Sequence, residues 1–591
     1  ANAGAALAAQ VPRELPAKLR AAGATDAAER VQSTIDGFAT GLAGGARTAC
    51  QAGKQRREWS PELVAKSESC LDVAARSARA LLAIETVTAA SAPDIVRRVN
   101  RTLPDLVSCT SPTYLAASPP VPTDPAQLEA VITARTDVSI ARTELEVHAI
   151  DRARPHLERL ASSPVRTSPL VAPGIAVVDG MLAFHHGELA KAEKLLADAY
   201  YAARAADDDL ITSVALGQLL MMTTERAADD PASRSWLRIT VADAERLSAR
   251  APWLAARMYV AAARVADATG DSPGALRHLE RTRALAPAGD PVIVQGWLVE
   301  AGVLMWTGKV AEGIALYDRA IALEIERLGA DHPDIGQILS DYAASLIAAD
   351  READAIAIAE RALAIVERSA DPNDRLVDDV RVNVAAVLID DNARARALLE
   401  TARANYIAHD GVRNSKVANV DNNLAVLLLD DGKPEQAIVM LEESLATTEQ
   451  LLGADRTEVA EVLFNLAVAH RAKGDYGAAL AAARRCADIY GAKRPGTDRH
   501  RTSLAMVAAI ANQRRDHATA LAATETALGF PKPPEDPQST AWPQLERARA
   551  LIAVKRKAEA RPLLAAARAS YAAIGLPGRV EEIDRLVAQT R

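Results

Sequence analysis

A chain of 591 residues is too long for one compact core, so it is either several domains or an extended repeat array. About half of it is apolar, alanine dominates that half and aromatics are scarce, a mix that favours closely packed helices. A net charge of -8 argues against a nucleic-acid surface, and no apolar run reaches the roughly 18 residues that a membrane helix needs.

The opening ANAGAALAAQVPREL lacks a basic start followed by an apolar block. It does not read as a secretory leader, and the chain is expected to begin at a cut or processed end. Two of the four cysteines follow in ACQAGKQRREWSPELVAKSESCL, residues 49–71. WSPEL reads as a helix restart: Ser60 can cap, Pro61 suits the first helical position, and Glu62 complements the dipole. Cys50 and Cys70 lie ten residues either side of Ser60. In an antiparallel hairpin both would sit about 15 Å from the turn, at one height. Facing Cα atoms of packed helices are then about 4–5 Å apart, a gap a disulfide spans. A Cys50–Cys70 bridge and a pair of buried free thiols both stay open, and Cys109 is a rival partner for either. Metal binding is disfavoured, because there is no CxxC spacing and no histidine nearby.

TSPTYLAASPPVPTDPAQ, residues 110–127, holds Pro112, Pro119, Pro120, Pro122 and Pro125. That density cannot continue a helix and prefers an extended path. It predicts a linker over 110–125 between a helical module, 1–109, and a helical remainder, 126–591.

The remainder repeats. GKVAEGIALYDRAIAL, GKPEQAIVMLEESLA and GDYGAALAAARRCA align on Gly308, Gly432 and Gly474, and each has a small residue five positions on: Gly313, Ala437 and Ala479. The same place is read at Ala355 and Ala397, and outward at Ala153, Ala192, Ala275, Ala520 and Ala560. Twelve residues earlier a second small position runs through Ala141, Gly180, Ala263, Ala301, Ala343, Ala385 and on to Ala548. A third follows seven residues later, at Ala320, Ala404 and Cys486 among others. A distorted unit is expected over 211–254, with Gly217 on its first helix and an insertion, ERAADDPASR. The predicted fold is all-α: about ten or eleven antiparallel helix pairs of 38–42 residues, crossing at small residues. Stacked neighbours bury the faces that no pair can bury alone.

This pattern resembles the tetratricopeptide repeat, in the longer form of kinesin-light-chain-like arrays. LGADHPDI (328–335) and LLGADRTEV (451–459) are similar to that form's inter-repeat loop. The resemblance covers about 126–591 and implies a right-handed superhelix with a concave groove for a protein or peptide. The groove position, two residues before the small residue of the first helix, reads Asp341, Asn383, Asn423 and Asn465, with Asn422, Asn419, Gln337, Asp379 and Glu461 nearby. An amide both donates and accepts, so such a row can pair with the backbone of an extended peptide. The same amides can instead bond to neighbouring helices or to water. The Lys/Asn clamp that some such arrays use for terminal carboxylates is not matched in register.

HHGE (His185, His186, Gly187, Glu188) reads as a solvated turn rather than a metal site, since adjacent histidines point apart. Asp207, Asp208 and Asp209, like Asp430 and Asp431, read as helix ends and caps, and Asp331-His332-Pro333 has the order of a cap before proline. Cys486 holds a position that demands a small residue and reads as inert core. No GxSxG, HExxH or phosphate loop is present, so no catalytic residue, metal or cofactor is expected.

The cysteine-bearing module, SAPDIVRRVNRTLPDLVSC, the proline-rich hinge and the repeats together resemble the C-terminal region of receptor-like serine/threonine kinases of myxobacterial type. That resemblance implies a cytoplasmic kinase domain and a membrane helix ahead of this region, and an extracytoplasmic place for it. The chain itself carries no GxGxxG, HRD or DFG element, so any kinase activity would belong to a parent protein. The expected role is a sensor or interaction region that binds a protein or peptide, or self-associates. The alternative is a stand-alone cytoplasmic scaffold with reduced cysteines.

Overall fold

In a computed structural model, the described residues run from 2 to 590, except 90, 105, 147–148, 187, 226–230, 270, 288–289, 350, 370–374, 389–390, 494 and 531–537. Among them every regular element is a helix. Local chemistry starts many of these helices. Ser60 accepts a hydrogen bond from the Leu63 amide with Pro61 just inside the helix, and Asp271, Asp391, Asn414 and Asp516 cap others through their side-chain oxygens. At the turn within a pair, Gly474 ends Thr457–Lys473 in the left-handed conformation, which costs glycine nothing. Arg515 and Lys555 take positive φ at the same kind of turn in their repeats, and Asp207 does so between repeats two and three.

The chain forms two compact units, Ala1–Val380 and Arg381–Arg591. The first opens with a helical module: Asn2–Ala9, Leu15–Ala21, Thr25–Cys50, Pro61–Leu81 and Ala92–Thr102, then the short helices Val107–Thr110 and Pro112–Ala117. Its core joins Leu19, Ile35, Leu42, Leu71, Ala75 and Val99. Eleven helix pairs follow among the described residues. Those of the first unit are Pro125–Glu146 with Ile150–Ala161, Ala172–His185 with Leu189–Ala205, Asp209–Glu225 with Pro231–Leu247, Pro252–Ala268 with Ser272–Leu285, Pro291–Trp306 with Val310–Leu328, and Pro333–Ala348 with Glu352–Ser369. The seventh, Arg375–Val387 with Asn392–Asp410, begins in the first unit and ends in the second. The second unit continues with Ser415–Asp430 and Pro434–Leu452, Thr457–Lys473 and Tyr476–Lys493, Asp498–Gln513 and His517–Gly529, then Gln538–Ala553 and Lys557–Ala573, and ends on Pro577–Thr590.

Small residues sit where the helices cross. Ala141, Ala263, Ala301, Ala425, Ala467 and Ala508 are fully buried on first helices, as are Ala153, Ala192, Ala275, Ala355 and Ala437 on second helices. A Cβ on Gly313 would sit 2.8 Å from the Ala301 carbonyl oxygen and would overlap Met305. Repeat seven departs from the expected register: Ala395 and Ala402 are buried, whereas Ala397 and Ala404 are exposed. The interval from first-helix to second-helix small residue is twelve in repeat six (Ala343 to Ala355) and ten here (Ala385 to Ala395), so the turn has lost two residues. Gly217 is on the first helix of repeat three but meets nothing within 4 Å; Ala215 and Leu216 are the buried residues beside it. Half of the insertion ERAADDPASR, residues 226–230, lies outside the described residues.

Two expectations about the N-terminal module need correction. The stretch 110–125 is not extended throughout, because Pro112 begins the helix Pro112–Ala117, where its missing N–H costs nothing, and Ser111 caps it. The disulfide is Cys70–Cys109, with Cα atoms 5.3 Å apart, and Cys50 is free. The reason is register. Thr25–Cys50 does not stop at Cys50 but runs on as a π-helical turn, Gln51–Gln55. A Cβ at Gly45 would meet Leu71, and one at Gly53 would meet Val64, which puts Cys50 level with Ser67 rather than Cys70. Cys70 faces the other way, toward Val107–Thr110, where Ser67 Oγ donates to the Cys109 carbonyl at 2.7 Å.

Candidate functional site

The first helices of the repeats in the first unit line a chamber of about 1140 Å³, and the N-terminal module forms its opposite wall. The lining follows a rule that can be counted along each first helix. Six residues before the small residue stand Arg135, Arg257, Gln295 and Gln337; two before stand Ser139, Val299 and Asp341; one after stand Arg142 and Arg264. Steps of four and three keep these on one helix face.

Ion pairs lock the N-terminal module against the repeats. Arg97 Nε meets Asp334 Oδ1 at 3.1 Å, Arg76 pairs with Glu129, and Arg98 pairs with Glu144. Burial lowers the pKa of Arg98, partly offset by Glu144 beside it. Arg30 donates to the Glu326 carbonyl at 3.0 Å. The contact also has an apolar part. Tyr114 and Leu115 are buried in the core of the first repeats, and Tyr114 meets Trp253 edge-on at 6.1 Å. Thr113 Oγ1 donates to the Arg250 carbonyl at 2.9 Å.

Asp341 lies in this chamber, solvent-accessible but ringed by protein. Gln337 Nε2 donates to its Oδ1 at 2.9 Å. Desolvation by the surrounding walls pushes its pKa up to about 6, against the pull of Gln337 and Arg264. Arg264 is also accessible and also desolvated, and its pKa is lowered.

The remaining amides of the predicted row belong to the second unit. Asn422 and Asn465, on the first helices of consecutive repeats, are brought together: Asn465 Nδ2 donates to Asn422 Oδ1 at 3.0 Å. Asn383 and Asn423 are half-buried on Arg375–Val387 and Ser415–Asp430. Here the face that carries arginines in the first unit reads Asn419, Asn423 and Val426 in one repeat and Glu461, Asn465 and Val468 in the next. Val426 is exposed. The two units therefore present different chemistry at equivalent positions. The arginine positions of the first unit were missed in the sequence, although their signal was there: Arg142 and Arg264 each directly follow a crossing alanine.

Other motifs fall in the walls. His185 Nε2 lies 3.0 Å from the Leu145 carbonyl oxygen, and Gly187 is outside the described residues. Asp208 caps Ile211 and pairs with Arg135 at 3.0 Å, while Asp209 is buried and pairs with Arg246 at 2.8 Å. The cap at Pro333 is His332, whose Nδ1 accepts from the Asp334 amide, and not Asp331. Cys486 is fully buried, and burial pushes its thiol up to about 12, so it stays protonated.

A family model, Tetratricopeptide repeat, matches residues 297–368 and 416–492. No curated protein matches. Among solved structures, BtubC (BKLC) from P. vanneervenii is 24% identical over 38% of this chain and 90% of its own, with a TM-score of 0.32. A putative kinesin light chain of Podosopora anserina, with nearly identical TPR-like repeats, is 18% identical over 35% of this chain and 99% of its own, with a TM-score of 0.30. A Rap protein complexed with Competence and Sporulation Factor is 15% identical over 60% of this chain and 99% of its own, with a TM-score of 0.38. The chain carries tetratricopeptide repeats and folds as an all-α tetratricopeptide solenoid.

Proposed function

We propose that this chain is a non-catalytic interaction region, and that the first-helix face of its second unit holds a segment of a partner protein. The observation that carries the reading lies in the first unit. There the equivalent face already takes a short helix, Pro112–Ala117, with Tyr114 and Leu115 as buried anchors. In the second unit, Asn423 and Asn465 beside Val426 and Val468 offer amide hydrogen bonds flanked by apolar contact. We further propose that the region serves a membrane-bound serine/threonine kinase and lies on the extracytoplasmic side. The order of cysteine module, hinge and repeats supports this, as does the Cys70–Cys109 bridge, since disulfides persist in oxidising compartments.

Two measurements test the reading. A partner that co-purifies with the native chain should be lost from the Asn383→Ala, Asn423→Ala, Asn465→Ala triple variant while its melting temperature stays within a few degrees. Unchanged co-purification removes the amide face from the account. Peptide mapping of native material without reductant should recover a linked Cys70–Cys109 peptide; free thiols at both positions would favour a cytoplasmic scaffold.

A further inference from the structure

The chamber of the first unit holds two opposite charges that no ion pair among the described residues matches. Most charges on the wall are matched: Arg97 with Asp334, Arg135 with Asp208 and Arg327 with Glu324. Lys66 is held by Glu62 and by the carbonyls of Leu115 and Ser118. Arg264 differs. Among the described residues it forms no hydrogen bond and no ion pair, although its side chain reaches the chamber. Asp341 faces the same space, and among the described residues its side chain is hydrogen-bonded only by Gln337, on one oxygen. The two charges act on each other through the chamber but do not meet as an ion pair. Both stay accessible to solvent inside the chamber, so each can take a partner that arrives from solution.

We propose that this chamber binds a small zwitterion, a free amino acid or a short peptide, with its carboxylate on Arg264 and its ammonium on Asp341. A guanidinium fork matches a carboxylate in two parallel hydrogen bonds. Arg142 adds a second guanidinium to the chamber lining, at the equivalent position on the first helix of the first repeat, and reaches Glu146 only at 3.7 Å. Gln295 supplies a further amide, and Leu298, Val299 and Ile338 supply apolar wall for a side chain. The volume, about 1140 Å³, lies just above the range of ordinary small-ligand sites, about 300–1,000 Å³. The site is distinct from the amide face of the second unit and stands or falls separately from it.

The test uses the full chain at pH 7.5, by calorimetric titration and thermal melting. The probes are glutamate, lysine, leucine and trialanine, with acetate, methylamine and N-acetyl-trialanine as controls at equal ionic strength. At least one zwitterion should bind saturably and raise the melting temperature, and its acetylated or single-charge counterpart should not. Arg264→Gln and Asp341→Asn should each weaken that binding at least tenfold with the helical circular dichroism intact, and Arg264→Lys should weaken it less than Arg264→Gln. The proposal is overturned if no zwitterion binds at 10 mM (on the order of the weakest specific sites). It is also overturned if acetate binds as well as the zwitterions, or if either variant binds as the wild type does.

Discussion

Arg97, on the N-terminal module, pairs with Asp334 in the first turn of the sixth repeat's first helix, with 18% and 13% of their side chains exposed. The pair joins positions far apart in the chain and holds Ala92–Thr102 against the groove wall. It is neither a surface pair, worth about 0–1 kcal/mol, nor a fully buried one, whose breaking costs about 3–5 kcal/mol. Arg97→Ala is expected to cost about 1–3 kcal/mol locally. Amide exchange in Ala92–Thr102 should then speed up by tenfold or more while the second unit keeps its protection. Uniform exchange across both units would show that the pair does not latch the module.

The Cys70–Cys109 bridge closes a loop with a sequence separation of 39 residues. The chain-entropy relation puts such a closure at about 4 kcal/mol. Cys109→Ser should therefore lower the stability of the first unit by roughly that amount, seen as a shifted denaturant midpoint. Cys50→Ser should leave the midpoint within about 0.5 kcal/mol, as expected of a residue outside any bond. Equal losses from the two variants would restore Cys50 to the pairing.

Asp341 predicts a pH dependence. Its folded pKa of about 6 lies above the usual value for aspartate, about 3.9. Desolvation is the main cause, with Asp379 adding repulsion and Gln337 and Arg264 opposing it. Between about pH 4 and 6 the folded state thus holds a proton that the unfolded chain has released, so stability falls as pH rises through that window. Above it the full cost of the charge remains. Asp341→Asn should melt higher than the wild type at pH 7.5, and the gap should close below about pH 4. A gap of constant size from pH 3.5 to 7.5 would assign the effect to another cause.

Two glycines on repeat helices should respond to alanine with opposite signs. At Gly313 a Cβ would crowd the Ala301 carbonyl and Met305, so Gly313→Ala should destabilise by about 1–3 kcal/mol through overpacking. At Gly217 a Cβ meets nothing within 4 Å, so the change should stabilise by about 0.5–1 kcal/mol through helix propensity. Thermal melting of the two variants side by side checks this; matching signs would refute the crossing argument.

Much of the fold was legible because helix crossings demand small residues at fixed offsets, and that demand is written directly in the chain as Ala141, Ala263, Ala301, Ala425 and Ala467. The reading slipped at Ala397 because a two-residue loss in a turn moves the positions on the helix that follows it, and alanine is common enough to supply a false match. The site was less legible. The amide row was found by its offset, but Arg142 and Arg264, three residues further along the same face, were passed over because a lone arginine on a helix reads as surface.

The sequence alone determined the helices, their caps and the period of the array, because these depend on residues a few positions apart. Only the tertiary structure decided which cysteine Cys70 meets, that the N-terminal module lies in the groove, and that Arg264 and Asp341 face one chamber unpaired. Those outcomes turn on the register of a π-helical turn and on which face of each helix looks inward, and residues far apart in the chain settle both together.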